Sequence, residues 1–161
     1  MHSVALDLAS VLLKHERMKR QNYSIKIDAS AERIWNALWD DKNYRDWTSA
    51  FHPGSYAKTD GWKEGTTVHF LTPEGLGMYS RIASNVPMQR MEFEHLGEVK
   101  DGKEQPPTGE SWAGAREIYT LEKNGDGLHL KVAVDVEESY DEKMQEMFSK
   151  ALERVKKIAE G

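Results

Sequence analysis

The chain has 161 residues, enough to enclose one sizeable apolar core and few for two ordinary domains. Its formal net charge of −5, with no long basic run, argues against nucleic acid or an anionic membrane surface as the main partner, since both reward clustered positive charge. It contains no cysteine, which excludes disulfides, thiolate metal sites and cysteine nucleophiles and is compatible with a cytoplasmic location.

The apolar stretch Val4 to Leu13 is interrupted by Asp7 and has no basic region ahead of it, so it does not read as a secretory signal. It is also too short to span a bilayer. It reads as a short amphipathic helix within an extension of residues 1–20, with Met18 as an alternative start and one domain over residues 21–161. A short strand ends near Ile27, and Ser30 is placed to cap a helix whose first turn carries Glu32, where a carboxylate suits the positive end of the helix dipole. Ile34, Trp35, Leu38 and Trp39 recur at helical spacing. Asp40 or Asp41 caps a second short helix that turns Tyr44 and Trp47 inward.

Strands follow. Thr66 to Leu71 puts Val68 and Phe70 on one face; Leu76 to Val86 sets Met78, Ser80 and Ile82 against Tyr79 and Arg81, and Pro87 ends it. Met91, Phe93 and His95 alternate with Glu92 and Glu94, which predicts a strand with one wet face. Gly97 to Gly114 is polar and broken by Pro106-Pro107, and reads as a mobile loop or a lid. Arg116 to Glu122 resumes the sheet, with Ile118 and Thr120 competing against Tyr119 and Leu121 for the inner face. Asn124-Gly125-Asp126-Gly127 predicts a tight hairpin turn into a strand with Leu128, Leu130, Val132, Val134 and Val136 inward. Ser139 to Glu142 then reads as a capping box opening the longest helix, whose stripe runs from Met144 to Ala159.

The run Ile25 to Trp35, Ile-Lys-Ile-Asp-Ala-Ser-Ala-Glu-Arg-Ile-Trp, with the helical turn closing on Trp47, resembles the start of the SRPBCC (START-like, helix-grip) superfamily. Its closest likeness is to the family related to the activator of the heat-shock-protein-90 ATPase, by order of elements from Tyr23 to Glu160. The resemblance implies an α+β fold: a curved antiparallel sheet wrapped around the long C-terminal helix, with two short helices after the first strand. It also implies a space between sheet and helix for an apolar ligand. The lining would be Trp35, Trp39, Trp47, Phe70, Met78, Ile82, Phe93, His95, Met144, Met147, Phe148 and Leu152, unless these residues simply fill the core.

Three functions follow from the resemblance. One is a non-catalytic carrier or sensor of a hydrophobic small molecule, without metal or cofactor. Another is a co-chaperone-like domain that contacts a chaperone protein. The last is a cyclase or dehydratase of polyketide-like substrates, with His95 or Tyr119 as its acid–base group. No nucleophile elbow, zinc-binding helix, phosphate-binding loop or dinucleotide fingerprint is present in the sequence, so catalysis rests on the resemblance alone. General burial habits favour a His95 that meets water or backbone at a strand end, and an Arg81 that pairs with a surface glutamate. Because the domain pattern starts near Tyr23, a chain beginning at Met18 should keep the melting temperature within a few degrees of the full chain's. Differential scanning calorimetry of the two checks this.

Overall fold

Period-two alternation of apolar and polar residues builds most of the molecule. The computed structural model describes residues 18–106, 113–125 and 127–161; the helix expected over Val4 to Leu13, Pro107 and Asp126 lie outside the described residues. Strands β1 (Met18–Ile27), β2 (Tyr56–Lys58), β3 (Thr67–Leu71), β4 (Gly77–Val86), β5 (Arg90–Lys100), β6 (Lys103–Glu104), β7 (Arg116–Asn124) and β8 (Gly127–Glu137) form one antiparallel sheet. Helices α1 (Ala31–Trp39) and α2 (Asp41–Thr48) follow β1, and α3 (Asp141–Glu160) follows β8. The strand order is β1-β8-β7-β5-β4-β3-β2, with β6 beside β5. This is the expected α+β helix-grip architecture.

Two strands are longer than their apolar pattern suggests. β1 begins at Met18, because β8 offers a partner along the whole register from Met18↔Glu137 to Ile27↔Leu128. β5 continues to Lys100 through residues expected in a loop, with Gly97 and Val99 on its buried face. A Cβ on Gly97 would stand 2.7 Å from the ring of Tyr79, its partner on β4, so a larger residue there would have to displace that ring. Register shifts leave Leu96 as an extra residue in β5 and Ala83 as one in β4, and such bulges increase the curl of the sheet.

The short helices form as their caps dictate. Ser30 Oγ accepts from the Arg33 N–H at 3.2 Å, and the Asp40 carboxylate from the Asn43 N–H at 3.4 Å. The buried Trp47 indole donates to the Leu38 carbonyl at 2.9 Å and locks α2 onto α1. Trp39 occupies the centre of an aromatic cluster, with the ring centroids of Trp62, Phe93 and Tyr119 at 5.1, 5.7 and 5.0 Å. Trp62 holds a positive φ of 59° and donates its indole N–H to the Trp39 carbonyl at 2.8 Å.

The capping box expected at Ser139 to Glu142 does not form. A 3-10 turn over Glu138–Tyr140 leads into α3, and Tyr140 at the cap position makes no side-chain cap bond. Ser139 thus lies inside a helical turn and not at the extended position from which a side chain caps, and β1 reaches the oxygens of the first turn instead. Gln21 donates to the Asp141 carbonyl at 3.0 Å and also to its carboxylate, and Lys19 pairs with the same carboxylate at 3.2 Å. The far end of α3 is fastened likewise: the Asp28 N–H donates to Glu160 at 2.8 Å and Lys156 to the Lys26 carbonyl at 2.9 Å. Between these ends Phe148, Ala151, Leu152, Val155 and Ala159 are buried, and Phe148 stacks on Tyr23 at 4.9 Å.

On the convex face, charges of opposite sign meet across strands. Arg116 reaches Glu92 at 2.8 Å and Glu94 at 3.1 Å, and Arg81 reaches Glu94 at 3.2 Å. Arg116 therefore faces outward and Tyr119 inward, which decides the competition within β7.

The lysine and glutamine partners hold the Asp141 carboxyl below its ordinary 3.8, and Lys156 with the Asp28 N–H holds Glu160 below 4.5. A carboxyl depressed in the folded state contributes stability that is complete above its ordinary value and lost as pH falls through the lowered one. Asp141→Asn should therefore lower the urea midpoint at neutral pH, and the gap from wild type should close as pH falls well below 3.8. Urea titrations across that range test it.

Candidate functional site

The helix and sheet meet closely over the second half of α3 and part over its first. Met144 and Met147 are only partly buried, whereas Leu152 and Val155 are fully enclosed. Under the first turns of α3 lies a cavity of about 600 Å³. Its apolar wall comes from Tyr44, Trp47 and Phe51 beside α2, Phe70 and Met78 on β3 and β4, Val134 and Val136 on β8, and Met144, Met147 and Phe148 on α3. The cavity reaches the surface beside Tyr140, which is 53% exposed.

One corner of this wall is polar. The β4–β5 register sets Ser80 opposite His95, and the wholly buried Ser80 hydroxyl lies 2.6 Å from His95 Nδ1. On the other side of the ring, His95 Nε2 stands 3.4 Å from a Glu117 carboxylate oxygen. The second Glu117 oxygen accepts from the Tyr119 hydroxyl. A carboxylate beside Nε2 favours a proton on that nitrogen, which leaves Nδ1 to accept from Ser80. The strand itself is held by His95 N–H to the Ala115 carbonyl at 2.9 Å and Gly114 N–H to the His95 carbonyl at 2.7 Å.

Burial, then the neighbouring Glu117 charge, push the Tyr44 and Tyr119 phenols well above the ordinary 10.0, so both remain protonated hydrogen-bond donors. Burial alone would raise Asp135, but hydrogen bonds from Arg20 and the Arg116 N–H outweigh it and leave the group below 3.8. Among the described residues no group of three His, Asp or Glu side chains is arranged to hold a metal ion. The arrangement is thus an aromatic-walled volume with one hydrogen-bonding corner.

Of the residues expected to line such a space, Trp47, Phe70, Met78, His95, Met144, Met147 and Phe148 stand on its wall. Trp39, Ile82, Phe93 and Leu152 are instead enclosed in the packed core, and Trp35 lies partly buried against that core. His95 is 5% exposed and held by side chains, not by water or backbone alone as burial habits suggest. Tyr44, Phe51 and Glu117 are wall residues beyond that expectation. Glu117 had a signal available: it lies two residues from Tyr119 on the same strand face.

Comparison of the sequence with family models and with curated proteins finds no match. The fold, in contrast, is shared with solved structures. The Aha1 dimer from Colwellia psychrerythraea is 20% identical, with a TM-score of 0.66 over 88% of this chain and 96% of that one. Protein MLL2253 from Mesorhizobium loti is 12% identical, with a TM-score of 0.64 over 87% and 96%. DynU16, a protein in the dynemicin biosynthetic locus, is 12% identical with a TM-score of 0.62 over 86% of this chain, which spans 46% of DynU16. What these structures share with the chain is the fold, a curved antiparallel sheet gripping a long C-terminal helix.

The split in packing along α3 has a measurable consequence. Leu152→Ala should destabilise by about 2–5 kcal/mol, the usual cost of emptying a packed site, and Met147→Ala by clearly less, because its neighbour on one side is already open space. Denaturation midpoints of the two variants compare them directly.

Proposed function

We propose that this protein binds a hydrophobic small molecule in the cavity beneath α3, as a carrier or sensor that does not transform it. The observation that carries this reading is a volume of about 600 Å³ with predominantly aromatic and aliphatic walls and a mouth at Tyr140. Such a space matches the size and character of small-molecule sites, which are mostly apolar with a few convergent polar groups. Methionines at 144 and 147 support it, since their unbranched side chains adapt to different shapes at little cost.

A ligand that binds only the folded chain adds about 2.7 kcal/mol of stability at a hundred times its dissociation constant. A thermal-shift screen of fatty acids, sterols, flavonoids and polyketide-like aromatics should therefore find compounds that raise the melting temperature. Met147→Trp, which grows a side chain into the cavity, should fold and lose the shift. No shift in the wild type, or the same shift in a folded Met147→Trp variant, would reject the reading.

A second reading, turnover of the bound molecule, is favoured by one observation: His95, on the wall, has Glu117 on one ring nitrogen and Ser80 on the other. That arrangement could move a proton to or from a ligand atom. Tyr119, held protonated, would serve only as an acid. Product formation abolished in His95→Gln while ligand affinity survives would favour this reading over the carrier.

A further inference from the structure

The charges on the cavity wall restrict what can lie against it. Glu117 is the carboxylate that a strand turns toward the cavity: Asp135 and Glu137 alternate with the inward Val134 and Val136, and Lys143 is exposed on the first turn of α3. The nearby guanidinium groups do not offset the carboxylate in the corner. Arg116 extends to Glu92 and Glu94 on the convex face. Arg20 binds Asp135 at 2.8 and 3.2 Å, and the Arg116 N–H adds a third bond to that carboxylate at 2.9 Å. Asp135 is thereby largely satisfied by the protein.

Glu117 is not. A carboxylate has about four acceptor positions. Tyr119 fills one, and His95 approaches another at 3.4 Å, long for a hydrogen bond. Glu117 thus presents acceptor capacity to a cavity with predominantly apolar walls. We infer, resting on the small-molecule reading above, that the polar end of the ligand is a hydrogen-bond donor, an alcohol, phenol or protonated amine, and not a carboxylate. A ligand carboxylate in this corner would set two like charges together against an apolar wall, whereas a donor completes the hydrogen bonding of Glu117. Burial first, and the Glu117 charge second, hold the Tyr44 and Tyr119 phenols protonated, and both act on any acid brought beside them.

The test is calorimetric titration of the full chain with three matched probes, naphthylmethanol, naphthylmethylamine and naphthoate, on wild type, Glu117→Gln, Glu117→Asp and Met147→Trp. The alcohol and the amine should bind at least about tenfold tighter than naphthoate, an effect of one like-charge contact. In Glu117→Gln the amine should lose and naphthoate gain by a similar factor, while Glu117→Asp keeps the wild-type order. Met147→Trp should weaken all three. If naphthoate binds as tightly as the others and Met147→Trp still blocks it, the head-group inference is overturned and the cavity remains a binding site. If none of the three binds wild type, or if Met147→Trp has no effect, both fall. Should Glu117→Gln not fold, the wild-type order and the Glu117→Asp variant still decide between these outcomes.

Discussion

One helix held at both ends by one strand is the constraint from which the other features follow. A 20-residue helix is about 30 Å long, and a ten-residue strand about 33 Å, so α3 and β1 are matched in length. Lys19 and Gln21 take the first turn, and the Asp28 N–H and the Lys26 carbonyl take the last. The helix can neither slide nor tilt far without breaking contacts at one end. Since β1 lies beside β8, the same fastening also sets α3 over the strands that carry Val132, Val134 and Val136.

With the helix axis held, the curl of the sheet decides where contact is made. Bulges in β4 and β5 add to that curl, and the Trp39 cluster fills the interior against α1 and α2. Beneath the first turns of α3, Met144 and Met147 do not close the gap. The cavity is the remainder of two packing solutions that share one sheet. Its polar corner follows from register: the pairing of Ser80 with His95, and of Phe93 with Glu117, brings three strands' polar groups to one place.

Much of this was legible in the residues. Helical spacing around Trp35 and Trp47, strand alternation from Leu128 to Val136 and the stripe of α3 identify which side chains face inward, because side-chain direction is set by local periodicity. Depth is another matter. Phe93 and Met78 are both inward by alternation, yet Phe93 meets Trp39 and Phe70 whereas Met78 meets open space. That difference depends on bulges and cross-strand register, which periodicity does not encode. The capping motif failed although Ser139 to Glu142 has the right local spacing: the chain enters the helix through a 3-10 turn over Glu138–Tyr140, so Ser139 is already helical where a cap must be extended.

The geometry of the Trp39 cluster also has an optical consequence. Its indole lies 6.0 Å from that of Trp35, 6.4 Å from Trp47 and 5.1 Å from Trp62, with ring planes inclined at 73°, 76° and 57°. Chromophores this close and this far from parallel share their excited states, and their coupled transitions give paired circular-dichroism bands of opposite sign that overlie the peptide signal. Helix content computed from the far-ultraviolet spectrum of this protein would therefore be distorted by its tryptophans. The same bands would report the rigidity of the interior independently of its secondary structure.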